Sequence, residues 1–204
     1  DFSAESITGA KRTLHSPKKW GPVITGGIQS RTCPQWNSEK HLWEWWYEGE
    51  HIYYATSEDG QHWEKPKLGL FECEGSKNNN IAFDPSASPG PPYHIIRDES
   101  DPDPDRRYKG LLSYSDRYPA VSPDGFHWTL VDTPPIPSQD QSQFTHDHQT
   151  NQFLAFVKLS TEWGRSVWLS TSSDFRQFSD PKLIFHTDEI DRENRRSRVR
   201  EVIE

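Results

Sequence analysis

The feature that most constrains this chain is a phrase that comes back twice. Ala55-Thr56-Ser57-Glu58-Asp59-Gly60-Gln61-His62-Trp63 returns as Val121-Ser122-Pro123-Asp124-Gly125-Phe126-His127-Trp128. It returns again, altered, as Leu169-Ser170-Thr171-Ser172-Ser173-Asp174-Phe175-Arg176-Gln177-Phe178. The shared core reads Ser-x-Asp-Gly-x-x-Trp, with Phe175 standing for the glycine and Phe178 for the tryptophan in the last copy. Asp-Gly is favoured at the centre of a tight hairpin, because glycine accepts positive φ without strain and aspartate tolerates it. The aromatic three positions further on opens the next strand and brings a large flat surface to bury. Trp63 and Trp128 are 65 residues apart, and Trp128 and Phe178 are 50 apart. Those are propeller-blade periods with one long insertion, rather than solenoid steps. The plainer alternative is three unrelated Asp-Gly hairpins in a β-sandwich.

Only 31% of the residues are hydrophobic, but nine Trp, ten Phe and seven Tyr supply much of that share. With sixteen Pro and twelve Gly beside them, the composition reads as an all-β chain with many turns and not as a disordered polymer. The net charge of -8, without a basic stripe among the aromatics, argues against a nucleic-acid partner. No apolar run is long enough for a membrane-spanning helix. Cys33 and Cys73 lack metal-type spacing; they either pair in an oxidising compartment or remain two thiols. The chain starts at Asp1 and has no Met, which reads as a processed chain, an excised domain or a fragment. No Gly-rich phosphate loop and no Gly-x-Ser-x-Gly elbow occurs, so no cofactor is expected.

Along the chain, residues 1–22 read as an irregular segment, 23–187 as blades and 188–204 as a charged tail or marginal helix. Residues 23–66 predict about four strands, including His41–Tyr47 and Ile52–Thr56, and hence one blade. Residues 67–106 read as an insertion, with short strand candidates at Ile81–Phe83 and Tyr93–Arg97 between loops rich in Asn and Pro. Arg107–Val131 supplies the second blade. Gln152–Leu159, the strongest strand in the sequence, leads the third. Propellers close with four to eight blades, so about three leave exposed edges.

Read in order, "YYATSEDGQHWEKPKLGLFECEGSKNNNIAF", "DPDPDRRYKG", "VSPDGFHWT" and "STSSDFRQFSDPKLIF" resemble bacterial proteins of the glycosyl hydrolase family 32/43-like five-bladed β-propellers, over residues 20–187. The resemblance implies a β-propeller of four-stranded antiparallel blades, about three of five being present here. It implies a carbohydrate held at the funnel end of the axis, with carboxylates on the inner strands as nucleophile or base, helper and acid. A secreted or periplasmic location fits such a protein. Glycoside cleavage asks for one carboxyl that protonates the leaving oxygen and another that attacks or activates water, and the acid needs a raised pKa.

On this sequence the resemblance points first to Asp140, in Gln139-Asp140-Gln141-Ser142-Gln143-Phe144, with Asp98 after the strand Tyr93–Arg97 and Glu162 as the acid. Gln141, Gln143, Trp45 and Arg165 are the candidate substrate-binding residues, and no metal is expected. Each has a plainer reading: Asp140 as a loop carboxylate, Asp98 as a cap on the acidic turn, Glu162 as a solvent-facing hairpin residue and Trp45 as blade packing. Gln29-Ser30-Arg31 occupies the expected first inner strand, where the family pattern has an Asp. His146 and His148 alternate as two ligands on one strand face would, without an evident third. The competing functions are a non-catalytic carbohydrate-binding propeller, an inactive hydrolase fragment and a sialidase-like propeller. The last is suggested by the likeness of Ser-x-Asp-Gly-x-x-Trp to an Asp-box turn.

Overall fold

Each copy of the repeated phrase closes one antiparallel sheet. The computed structural model describes residues 13–19, 21–26, 31–84 and 86–203. Sheet one comprises β1 (Gln35–Asn37), β2 (Leu42–Glu48) and β3 (Ile52–Ser57). Sheet two comprises β4 (Pro92–Arg97), β5 (Tyr108–Leu112), β6 (Tyr118–Ser122) and β7 (Thr129–Leu130). Sheet three comprises β8 (Ser142–Asp147), β9 (Gln152–Thr161), β10 (Gly164–Ser172) and β11 (Lys182–Phe185). Every sheet meanders in chain order, and one helix, α1 (Glu189–Ile203), follows. Among the described residues the fold is thus all-β apart from α1 and a short 3-10 turn at Pro104–Arg106.

The three turns share one hydrogen-bond pattern. The serine hydroxyl accepts from the backbone N–H three residues on, at 2.8 Å for Ser57, 2.9 Å for Ser122 and 3.0 Å for Ser172. The aspartate accepts from the two N–H groups beyond, at 2.8 and 2.8 Å for Asp59, 2.8 and 2.9 Å for Asp124, and 2.8 and 3.1 Å for Asp174. Positive φ falls only on the next residue: 74° at Gly60, 81° at Gly125 and 53° at Phe175. The aspartate therefore works through its carboxylate and not by tolerating a left-handed backbone.

Glycine at 125 has a second cause. A Cβ there would lie 2.4 Å from the ring of Trp46, whereas at Gly60 the nearest atom, in Trp43, is 3.9 Å away. Gly60→Ala is expected to cost about 1 kcal/mol of backbone strain, and Gly125→Ala about 3 kcal/mol once displacement of Trp46 is added. Chemical denaturation of the two variants measures the difference; equal losses would mean that Trp46 does not fill the space above the second turn.

Two expectations need correcting. The expected strand Tyr93–Arg97 forms, within β4, but it is the first strand of sheet two, so the insertion ends at Pro91 and residues 98–107 are a loop inside that sheet. Sheet one has three strands rather than four, because its outer edge is shared by two fragments. Glu64 bridges Thr56, and Ile81, returning from the insertion, bridges Tyr53. The expected strand at Ile81–Phe83 is only that bridge. Of the inner-strand candidate Gln29-Ser30-Arg31, the first two residues lie outside the described residues.

The first strands β1, β4 and β8 lie side by side and run in one direction. Pairs from start to end show this for β4 and β8: Tyr93 donates to the Asp140 carbonyl, His94 meets Ser142 at 2.7 Å, and His146 approaches Asp98 at 4.0 Å. Arg31 with His94, Gln35 with Arg97 and Ser38 with Glu99 show it for β1 and β4. Two aromatic-rich cores fill the junctions. Trp46, Tyr54, Ile95 and Tyr108 join sheets one and two, and Leu111, Phe144, Phe153 and Phe175 join sheets two and three. Burying each such side chain is worth roughly 1.5–3 kcal/mol.

The tail folds as α1. Asp188 accepts from the Asp191 N–H at 3.0 Å, and Asp191 accepts from the Asp188 N–H at 3.1 Å, a reciprocal cap at the helix start. Arg192 ties the helix to the β9–β10 hairpin, donating to the Glu162 carbonyl and lying 4.9 Å from the Trp163 ring centroid.

Candidate functional site

Because the first strands of the three sheets run in one direction, their starting ends define one face of the molecule. Tyr93, at the start of β4, is buried there between two guanidinium groups. Arg31 lies 4.4 Å and Arg117 4.0 Å from its ring centroid. The Tyr93 hydroxyl donates to the carbonyl of Asp140, just before β8. Arg31 donates to Gln141 at 2.6 Å and pairs with Glu48, at the end of β2, at 3.8 Å. Tyr114 donates to Glu48 at 2.9 Å, and its hydroxyl is pushed up to about 12 by burial and by that carboxylate. Residues from all three sheets and the lead-in to sheet one therefore converge.

Beneath the face runs a buried polar relay. Arg117 donates from Nε to the Ser142 hydroxyl at 2.7 Å and from Nη2 to the Gln139 carbonyl at 2.8 Å. Ser142 donates onward to Nε2 of His94 at 2.7 Å, and His94 Nδ1–H donates to the Arg31 carbonyl at 3.1 Å; the tautomer follows from these partners. Burial, reinforced by the two nearby arginines, holds the His94 pKa down at about 3, so the ring is neutral. Burial also lowers Arg117 to about 10. The relay fixes the backbone that carries Asp140 and Gln141.

Asp140 projects from this face with its side chain 60% exposed and forms an ion pair with Lys158 of β9. The hydrogen bond from Lys158 holds its carboxyl below the usual range, and Arg165 acts in the same sense. Gln141 lies beside it. Gln143 and Arg165 line an open groove of about 340 Å³ along sheet three, with Phe156, Val167 and Phe185. The structure thus brings Asp140, Gln141, Gln143 and Arg165 to one side of the molecule.

Asp98 does not join them. It follows the far end of β4, about 17 Å of strand from Tyr93. There it is buried and paired with Lys109 at 3.2 Å. Glu162 sits exposed in the β9–β10 hairpin, with only its carbonyl engaged, by Arg192. Trp45 lies on the opposite flank, its ring 5.0 Å from that of Trp63 and its indole N–H donating to the Thr32 carbonyl. The rings of His146 and His148 meet at 4.4 Å, tilted by 59°, and among the described residues no three His, Cys, Asp or Glu side chains could hold a metal ion. Cys33 and Cys73 are both free thiols.

The sequence reading missed Arg31, Tyr93, Glu48 and Lys158 as site residues. Nothing local groups them: Arg31 precedes β1, Glu48 ends β2, Tyr93 begins β4 and Lys158 lies within β9. No protein-family model matches this sequence, and no curated protein matches it.

Proposed function

We propose that the three sheets are blades of a β-propeller of the glycosyl hydrolase family 32/43-like kind, and that the end where the inner strands begin binds a carbohydrate. One observation supports this reading above others: Arg31, Tyr93, Asp140 and Gln141, supplied by different sheets and the lead-in to the first, meet on that face. A guanidinium, an ionised carboxylate and a carboxamide are the groups that hydrogen-bond vicinal sugar hydroxyls. The parallel inner strands and outward meanders support the blade reading.

Binding without cleavage is the first form of this reading. The pKa of Asp140 is shifted downward, as is that of every other carboxylate among the described residues with a shifted value, whereas glycoside cleavage needs an acid with a raised pKa. Hydrolysis is the second form. It is favoured by Glu48, a further carboxylate whose charge, like that of Asp140, acts on the Tyr93 hydroxyl. Calorimetric titration with a panel of plant, algal and microbial oligosaccharides, alongside an assay for released reducing ends, tests both. Arg31→Ala is expected to weaken binding about tenfold or more, and no reducing ends are expected. Release of reducing ends that disappears in Asp140→Asn would favour hydrolysis. If no glycan binds at millimolar concentration, or if Arg31→Ala and Asp140→Asn both leave binding unchanged, the carbohydrate reading fails.

A further inference from the structure

The sheets can be aligned on their turn serines. Ser57, Ser122 and Ser172 pair across the sheet with Trp43, Tyr108 and Phe153. Three residues on, Trp46, Leu111 and Phe156 are therefore equivalent. Trp46 and Leu111 face the following sheet and are 2% and 0% exposed. Phe156 points the same way, but on sheet three it lies in the open groove with Val167 and with Phe185, which is 65% exposed. Tyr108 and Phe153 face the preceding sheet and are buried in the two cores. Their equivalent Trp43 stands on the outer face of sheet one, edge-on to Trp36, which is 42% exposed.

Sizes match across each junction. Large Trp46 meets Gly125 of the next turn, while the smaller Leu111 shares its core with Phe175. Phe156 is large, and Gly60, the counterpart of Gly125, has no atom within 3.9 Å of a Cβ placed on it. The two open faces therefore carry the two unlike halves of a junction that this chain already makes twice.

We infer that the groove on sheet three receives the first sheet of a second copy of this chain, head to tail. The halves lie on opposite flanks, so the contact is heterologous and closes into a ring if the rotation permits. This inference rests on the repeated junction and not on the carbohydrate reading.

Sedimentation equilibrium at about 100 μM is expected to give twice the 23.7 kDa chain mass. Phe185→Asp and Trp36→Asp should each sediment as monomers, weakened about 100-fold or more, with circular dichroism confirming their folds. If Trp36→Asp is misfolded, Trp36→Ser takes its place. Mixing the two monomeric variants should restore a dimer, because the intact third sheet of one meets the intact first sheet of the other. Larger oligomers that both substitutions dissolve support the same contact without closure. A wild-type monomer, a dimer indifferent to either substitution, or a mixture that stays monomeric overturns the inference.

Discussion

Lys109→Met is expected to lower folding stability by about 3–5 kcal/mol at neutral pH, the cost of leaving buried charge uncompensated. The Lys109 side chain on β5 is 1% exposed, with its ammonium 3.2 Å from Asp98 and 2.7 Å from Asp101 and bonded to the Arg106 carbonyl. Methionine fills the same volume but leaves Asp98, whose side chain is 4% exposed, without its cation. The effect has a pH signature. Against the opposing effect of burial, hydrogen bonds from Lys109, the Asp103 backbone and Arg106 hold Asp101 at about 2. Asp98 is also lowered, with bonds from Ser100 and Lys109 outweighing its burial. Groups depressed in the folded state contribute stability above their unfolded pKa of about 3.9, and that contribution is lost as pH falls toward 2. In the variant, burial favours the neutral acid, so acidification harms it less. Urea denaturation at pH 7 and pH 3 should show the gap between wild type and variant narrowing. A gap of the same size at both values would show that the carboxylates do not depend on Lys109.

Glu44→Leu is expected to cost about 3–5 kcal/mol, because it strands donors in the junction of sheets one and two. Glu44 is fully buried and accepts four hydrogen bonds: from Tyr54 at 2.7 Å, Lys40 at 3.0 Å, Tyr108 at 2.5 Å and Asn37 at 3.1 Å. Burial raises its pKa, but the bonds from Tyr108, Tyr54 and Lys40 outweigh that and keep it ionised; both tyrosine hydroxyls are pushed up. Removing the two hydroxyls as well, in Glu44→Leu/Tyr54→Phe/Tyr108→Phe, should recover more than half of the loss, because matched apolar groups leave fewer donors unpaired. Thermal and chemical melts of the single and triple variants decide it. If the single change costs under about 1 kcal/mol, the carboxylate is not what organises this junction.

Much of the architecture is legible in the sequence because it is written locally. The Ser-x-Asp-Gly-x-x-Trp phrases place three sheet edges, and the alternation in β9 separates buried Phe153, Ala155 and Val157 from partly exposed Leu154 and Phe156. Glu44 and Lys109 were hidden for a shared reason. Both faces of β2 carry aromatics, so periodicity does not say which side is inward, and the acid's main partner, Tyr108, is 64 residues away. Lys109 in Arg107-Tyr108-Lys109-Gly110 looks like an ordinary exposed lysine until the repeats are aligned on their serines. It then falls, like Glu44, at an inward position that sheet three fills with Leu154. The site was harder to read than the fold. Asp98 and Asp140 both adjoin the first strands of their sheets, but one follows its strand and the other precedes, and only the parallel course of β4 and β8 makes that a separation. Glu48 escaped notice as a turn residue between two strands.

Arg117 has a consequence for how the molecule comes apart. A chain of repeats is free to melt one repeat at a time, provided that its joints are weaker than its sheets. Here the guanidinium on sheet two spends its donors on the Ser142 hydroxyl and the Gln139 carbonyl, both belonging to sheet three, as well as on its own loop at Ser113 and Ser115. Pulling sheet three away breaks those bonds and floods the relay to His94 with water. It also opens the core around Phe175 in the same step. Sheets two and three therefore behave as one cooperative unit, whose opening passes through the loss of Arg117's partners rather than the fraying of an edge strand.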